Sequence, residues 1–367
     1  MQSETHAEPA TLSPSPRDLG YRMPAEWERH ESTWISWPHN EDTWPDELLI
    51  VERTVAEAVR VLARSEKVRI NVNSSEHETR ARKALDQAGV TGSVLFHRIP
   101  TNDAWVRDYG PIFVRSDSRG VAAVCWRFNS WGEKYPPYDL DAAAAARMAH
   151  VLGVPAFRAD MILEGGSIDV NGRGLLLTTE SCLLHPNRNP RLKREDVERY
   201  LETYLGVDHV IWLKEGIVGD DTDGHVDDLA RFVGTKQVIT VVENDTASEN
   251  YPILQENLDL LKSVVLPDGS VLDVLPLPMP SQRRIHGEIM PASYANFFVG
   301  NRTVLVPTYQ DANDAVALAI VQRAFPGRRV TGLYCGDLIW GLGAFHCLTQ
   351  QVPAPTGTTA VKSKSTS

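Results

Sequence analysis

The chain has 367 residues, 42% hydrophobic and 23% charged, which suits a globular protein with ample length for a large core. No run of ~18 apolar residues is present, so nothing in it reads as a membrane-spanning helix. The formal net charge of -11 weighs against a nucleic-acid partner, which needs a basic face, and is compatible with a small cationic ligand.

The first twenty residues, rich in Pro, Ser and Thr, lack the apolar core of a secretory signal and read as a disordered lead. Next come a strand over Thr33–Trp37, a helix carrying Leu48, Val51, Val55, Val59 and Leu62, and the strand "KVRINV". An extra helix (Glu76–Ala88) and strand (Val94–Ile99) follow. From there one order of elements recurs. Strand-like runs at Ile112–Val114 and Val121–Phe128 are followed by the helix "LDAAAAARMAHVLG" and the apolar segment Val154–Phe157. Met161–Val170 and Leu175–Thr178 flank "NGRG", a strong hairpin signal, before a helix ending at Gly206 and the strand "HVIWL". A third copy runs through His225–Val233, Gln237–Val242, a helix near Tyr251–Val265 and "VLDVL". A fourth runs through Tyr294–Val299, Thr303–Pro307, a helix over Ala312–Phe325 and "RRVTGLY". A fifth closes only by joining the ends, with Phe345–Thr349 pairing with Thr33–Trp37. The repeat is strand, strand, helix, strand. A three-layer α/β sheet competes, but adjacent antiparallel strands in every unit favour a closed ring. The globular part is a single domain over 21–353, with a disordered tail over 354–367.

Each unit opens on a polar cluster where an apolar strand start is expected: Asn102, Asp103, Trp105, Arg107 and Asp108; Glu164 with two glycines; Asp221, Asp223, His225 and Asp227; Asn296; and His346 with Cys347. In a ring, equivalent ends point to one place. On a strand, His225 and Asp227 project to one face with Val226 turned away. A solvated Asp-rich turn and a metal site compete with that reading, although one histidine in the cluster and no H-x-x-x-H is a poor zinc inventory. Glu164-Gly165-Gly166 reads equally as a bulge. Trp105 and Asp108 can hold a flat cation, or Asp108 can pair with Arg107. Cys347 alone reads as a small buried hydrophobe, its ordinary pKa of ~8.5 leaving little thiolate. His346, adjacent on the same strand, points to the opposite face and is a bystander; His225 is the better base. No C-x-x-C pair joins Cys125, Cys182, Cys335 and Cys347, which weighs against a disulfide framework and points to the cytoplasm.

A thiol, an imidazole and the carboxylates Asp108, Glu164 and Asp227 make an acidic pocket. That set suits a planar cation with many N–H donors and one electrophilic carbon, a guanidinium attacked by sulfur. "MPAEWERHESTWISWP", "NDAWVRDYGP", "LEGGSIDVNGRGLLLTTESCLLHPNRNP", "DTDGHVDDLARF" and "GLGAFHCLTQQ" together resemble the agmatine deiminases, which stand with the Porphyromonas-type peptidylarginine deiminases in the guanidine-modifying superfamily. The resemblance implies a five-bladed α/β propeller, no metal, no organic cofactor, and a homodimer or larger homo-oligomer. It implies Cys347 as nucleophile, His225 as general acid/base, Asp108 and Asp227 as the guanidinium grip, and Glu164 as a carboxylate that pairs with substrate and holds His225. It further implies Trp105 as the channel wall and Asp221 as a substrate contact facing the distal ammonium; Asn296, the polar residue that opens the fourth unit, is expected to be another substrate contact. Leu342, Ala344 and Phe345 depart from the Gly-Gly-Gly-Asn-Ile-His-Cys pattern of many such enzymes, and Pro276–Pro291 is short. Both departures bear on which guanidine enters.

Overall fold

The computed structural model describes residues 14–356. Within them the chain forms a mixed α/β fold of several small sheets. Three strands, Ile112–Ser116, Gly120–Arg127 and Ala156–Ile162, make the first sheet, its first pair antiparallel and its second parallel. The same order recurs in Asp169–Val170, Leu175–Thr179 and His209–Leu213. It recurs in Ala230–Phe232, Gln237–Val242 and Asp273–Pro278, and in Phe298–Val299, Thr303–Thr308 and Arg329–Tyr334. The fifth sheet joins the two ends of the described chain. Thr349–Pro353 pairs antiparallel with His30–Ser36, which runs parallel to Lys67–Val72 and then Val94–Arg98. A small hairpin, Arg283–Ile285 with Glu288–Met290, stands apart.

Local chemistry accounts for the recurrence. Each parallel step needs a long crossover, and each carries a helix: Leu48–Leu62, Ser75–Gln87, Asp139–Leu152, Arg194–Leu205, Asn250–Ser263 and Asp314–Ala324. Gly153 and Gly206, both at φ 65, stop two of these helices in the left-handed conformation that favours glycine. In the "NGRG" hairpin the Asn171 Oδ1 accepts the backbone N–H of Arg173 and Leu175. A large core draws Trp34, Val59, Val241 and Phe298 together; a second gathers Val124, Met161, Leu176 and Leu201. No helix among the described residues is long and apolar enough to cross a membrane.

Three expectations need correction. The lead expected to be disordered over 1–20 lies outside the described residues as far as 13, but from 14 onward it is an ordered turn. There the Arg17 N–H donates to Thr203 O at 3.1 Å, and its guanidinium donates to Val207 O at 2.7 Å. At the other end of the globular part, Ala354 is buried and donates to Arg29 O, and only 357–367 lies outside the described residues. The end-joining pair is shifted four residues along the chain, with Ile35 opposite Thr349, so Phe345–Leu348 precedes the strand.

Candidate active site

The polar clusters sit in tight turns just ahead of the first strand of each unit, rather than on the strands. Asp108 lies in the one-turn helix Val106–Tyr109, Glu164 caps the 3-10 turn Gly165–Ser167, and His225 caps the 3-10 turn Val226–Asp228. Cys347 lies in a turn before Thr349–Pro353, and Asn296 lies just after a turn and before Phe298–Val299. A strand sends alternate side chains to opposite faces, whereas a tight turn can bring neighbouring ones to one place. That is why the expected strand pairing of His225 with Asp227 is replaced by a turn.

The turns converge. A Cβ added to Gly166 would lie 2.6 Å from His225 Nδ1, 2.8 Å from Asp108 Oδ1 and 3.0 Å from Asp227 Oδ2. The glycine therefore keeps open a space that three titratable groups share. Asp108 Oδ1 accepts the Gly166 N–H at 3.0 Å and lies 3.8 Å from His225 Nδ1, while its Oδ2 accepts the Trp131 indole N–H at 3.0 Å. Asp227 Oδ2 lies 3.8 Å from Cys347 Sγ. Asn296 clamps the cysteine turn: its amide donates to Sγ at 3.1 Å, and its carbonyl accepts the His346 and Cys347 N–H groups. It thus stands against the thiol itself.

Glu164 is fully buried, and its Oε1 accepts from Arg188 Nε at 2.6 Å. Its Oε2 has no hydrogen-bond partner, nor has either ring nitrogen of His225, nor Asp227 Oδ1. Arg188 also reaches Asp223 and Thr222 O, tying Glu164 to the loop ahead of His225. Arg107 does not pair with Asp108. It turns the other way and donates to His346 O at 3.2 Å.

A pocket of about 220 Å³ opens above Cys347, with Trp105, Asp108, Trp131, Tyr135, Asp221 and Leu342 among its lining. Cβ atoms at Gly341 and Gly343 would strike Trp105 at 2.8 and 2.6 Å, so these glycines admit the indole beside the cysteine turn. Asp221 is already engaged, its carboxylate bonded to Lys134 and Tyr135. Of the three departures from the family pattern, Leu342 lines the pocket, while Ala344 and Phe345 are core residues. The tip of the small hairpin bears on the same rim, with the His286 and Trp340 rings 5.1 Å apart.

His346 is no bystander. Its Nδ1 meets Asp227 Oδ2 at 2.7 Å and its Nε2 meets Glu26 Oε2 at 2.8 Å. Glu26, which carries no signal of its own in the sequence, also receives Arg231 at 2.9 Å and the Val299 N–H at 2.7 Å. Trp131 and Arg188 were missed for the same reason: each is a single residue in an irregular segment. The signal available for Arg231 was a charge inside an otherwise apolar run, whereas Arg107 stood within the first polar cluster.

The electrostatics follow from this packing. Burial, reinforced by Asp227, Asp228 and Asp108, pushes the Cys347 thiol well above its ordinary range. Burial also pushes Asp108 up to about 6, with Asp227 and Glu164 adding to it and His225 opposing. Burial disfavours a charged His225, but Asp108 foremost, then Cys182 and Asp227, outweigh it and hold the imidazole well above its ordinary value. Asp227 goes the other way: burial is outweighed by His346, His225 and Arg231, which hold it below the usual carboxylate range. This packing favours a neutral thiol at Cys347 and an imidazolium at His225, and a further cation placed among the carboxylates would bring the thiol down.

Residues 22–353 match the model of the Porphyromonas-type peptidyl-arginine deiminase family. The chain is similar to the agmatine deiminase of Ectopseudomonas mendocina (strain ymp), 37% identical over 95% of this chain and 99% of the relative. Among solved structures it is similar to the agmatine deiminase of Enterococcus faecalis, 34% identical with a TM-score of 0.87 over 94% of this chain and 98% of that one. It is also similar to the agmatine deiminase of C. jejuni with substrate bound, 30% identical with a TM-score of 0.83 over 91% of this chain and 97% of that one.

Proposed function

The chain belongs to the Porphyromonas-type peptidyl-arginine deiminase family, and on that premise we propose that it is an agmatine deiminase, hydrolysing the guanidinium to ammonia and N-carbamoylputrescine. The observation that carries this reading is a buried thiol, Cys347, set among more buried carboxylates than nearby cations balance. Peptidyl-arginine is the second substrate considered. The named relatives and a pocket of about 220 Å³ walled by Trp105, Trp131 and Tyr135 favour the smaller molecule.

In this reading the guanidinium enters between Asp108 and Asp227, whose charges it offsets, and the Cys347 proton is lost to solvent. The thiolate attacks the guanidinium carbon, forming a C–S bond. Imidazolium His225 protonates a terminal nitrogen, the C–N bond breaks, and ammonia leaves. Neutral His225 then takes a proton from water, which attacks the thiouronium carbon. The new hydroxyl gives its proton to solvent as the C–S bond breaks, and thiolate and ureido product are released. Glu164, anchored by Arg188, offers its free Oε2 to a substrate nitrogen or to His225. Asn296 orients the thiol. Trp105 walls the channel. Asp221 receives the distal ammonium only by sharing its carboxylate with Lys134.

The five like sheets are read as blades of one closed α/β propeller, a single catalytic domain that takes in 21–353 and the ordered residues flanking it, and that acts in the cytoplasm. Contacts between first strands of different units support closure: Thr349–Pro353 against Ile112–Ser116, and Asp169–Val170 against Ala230–Phe232. The test is ammonia release from agmatine, free arginine and a peptidyl-arginine. Agmatine is expected to turn over best, and Cys347→Ser to lose at least roughly 10³-fold in kcat. Undiminished turnover in that variant removes the covalent step. Turnover of the peptide without agmatine transfers the reading to the second substrate.

A further inference from the structure

Cys182 is a fully buried thiol that the deimination does not use. It sits in the one-turn helix Glu180–Leu183, held by its backbone N–H on Thr179 Oγ1 at 3.2 Å. Its sulfur, a Glu164 carboxylate oxygen and a ring nitrogen of His225 all lie within 4.8 Å of one another. None of the three side chains is more than 1% exposed. Glu164 Oε2 and both nitrogens of His225 are without hydrogen-bond partners, although buried polar atoms ordinarily have one. Arg188 occupies only Oε1 of Glu164 and so fixes the carboxylate without covering its other oxygen.

The geometry points to a metal-ion site made of Cys182, Glu164 and His225, suited to Zn²⁺ or another soft divalent ion and distinct from the nucleophile Cys347. One sulfur, one imidazole nitrogen and one carboxylate oxygen are a zinc donor set. Zinc bonds of about 2.0–2.3 Å put tetrahedral ligand atoms roughly 3.3–3.8 Å apart, so closing from 4.8 Å takes about an ångström of side-chain movement. Asp108 and Asp227 beside His225 add negative charge that offsets the Arg188 guanidinium on Glu164. Binding displaces one proton from the Cys182 thiol and one from the His225 imidazolium, so occupancy rises with pH. The ion is an inhibitor by consequence: it takes the lone pair that His225 needs for proton transfer and the carboxylate that faces substrate. That consequence rests on the function proposed above, whereas the site itself does not.

The test titrates chelator-stripped full-length protein with Co²⁺, whose thiolate bond gives a near-ultraviolet charge-transfer band, and with Zn²⁺ as competitor. The band is expected in wild type and in Cys347→Ser, displaced by Zn²⁺, and absent in Cys182→Ser and Cys182→Ala at the same metal concentration. Thermal melts confirm that both Cys182 variants fold, and Glu164→Gln, which keeps the thiol, should weaken Co²⁺ binding at least roughly tenfold. A band that survives in the Cys182 variants and vanishes in Cys347→Ser overturns the proposal, as does no band in wild type. Stoichiometric binding through Cys182 without loss of agmatine turnover keeps the site and overturns the role given to His225.

Discussion

Two buried charge clusters lie back to back across His346 and Asp227, and they are built to opposite rules. Beneath the cysteine turn, Glu26 gathers Arg231, His346 and the Val299 N–H, with Arg107 at 3.6 Å, while Asp169 takes the other side of Arg231 at 3.1 Å. Two arginines meet two carboxylates there, and nearly every donor has an acceptor. Above the turn, Asp108, Asp227, Asp228 and Glu164 face His225 and Arg188, with ring nitrogens and carboxylate oxygens left without partners. Buried charge is costly unless paired, so a cluster that stays unpaired is held ready for a partner of its own. The lower cluster fixes the frame; the upper one holds more carboxylates than cations, an excess that a bound guanidinium lessens.

The sharpest way to break the contrast is at its lower half. Glu26→Gln leaves Arg231 and Arg107 buried without their shared counter-charge, and losing one partner of a buried pair typically costs about 3–5 kcal/mol. Chemical denaturation should report a loss on that scale. Unchanged stability would mean that the lower cluster is not a frame.

Much of this arrangement was legible, and the boundary of legibility is physical. The recurring strand, strand, helix, strand order could be read because each piece is local: apolar runs, an "NGRG" turn, glycines past helix ends. The residues that the turns bring together could be read because polar residues at strand starts break an apolar pattern in every unit. What the pattern cannot carry is the backbone between pattern and strand. Reading His346 and Cys347 as strand neighbours sent His346 to an idle face, whereas a turn puts it between Asp227 and Glu26. Glu26 itself lies outside the repeats, and its four partners come from distant points of the chain. No spacing announces that.

At the upper half, the space matters more than the stability. Gly166 does not sit at a positive φ, so alanine is allowed there by the backbone, but its methyl would enter the gap shared by His225, Asp108 and Asp227. Gly166→Ala should lower kcat/KM for agmatine by roughly 10²-fold, the scale of an ångström-sized misplacement. Its melting temperature should fall far less than that of Glu26→Gln. A variant that keeps its activity would show that the three groups are not held at working distance by that glycine.

The smallest effect separates the two clusters by the sign of their response to pH. Asp108 titrates at about 6 in the folded protein, against an ordinary carboxyl near 3.8. The folded state therefore keeps a proton that the unfolded state has released, and stability falls as pH rises from about 4 to about 6. Glu26 is held below the ordinary carboxylate range: burial is outweighed by Arg231, His346 and Arg107. Its contribution is present above the unfolded value and is lost as pH drops through the folded one. Asp108→Asn removes the first slope. Its melting temperature relative to wild type should climb by a few degrees between pH 4 and 6 and level off beyond. The deficit of Glu26→Gln should instead shrink as the solution is made more acid than about pH 4. Melts of both variants across that range decide it. If Asp108→Asn tracks wild type at every pH, the pocket carboxylate is not strained by burial, and the upper cluster is as well paired as the lower.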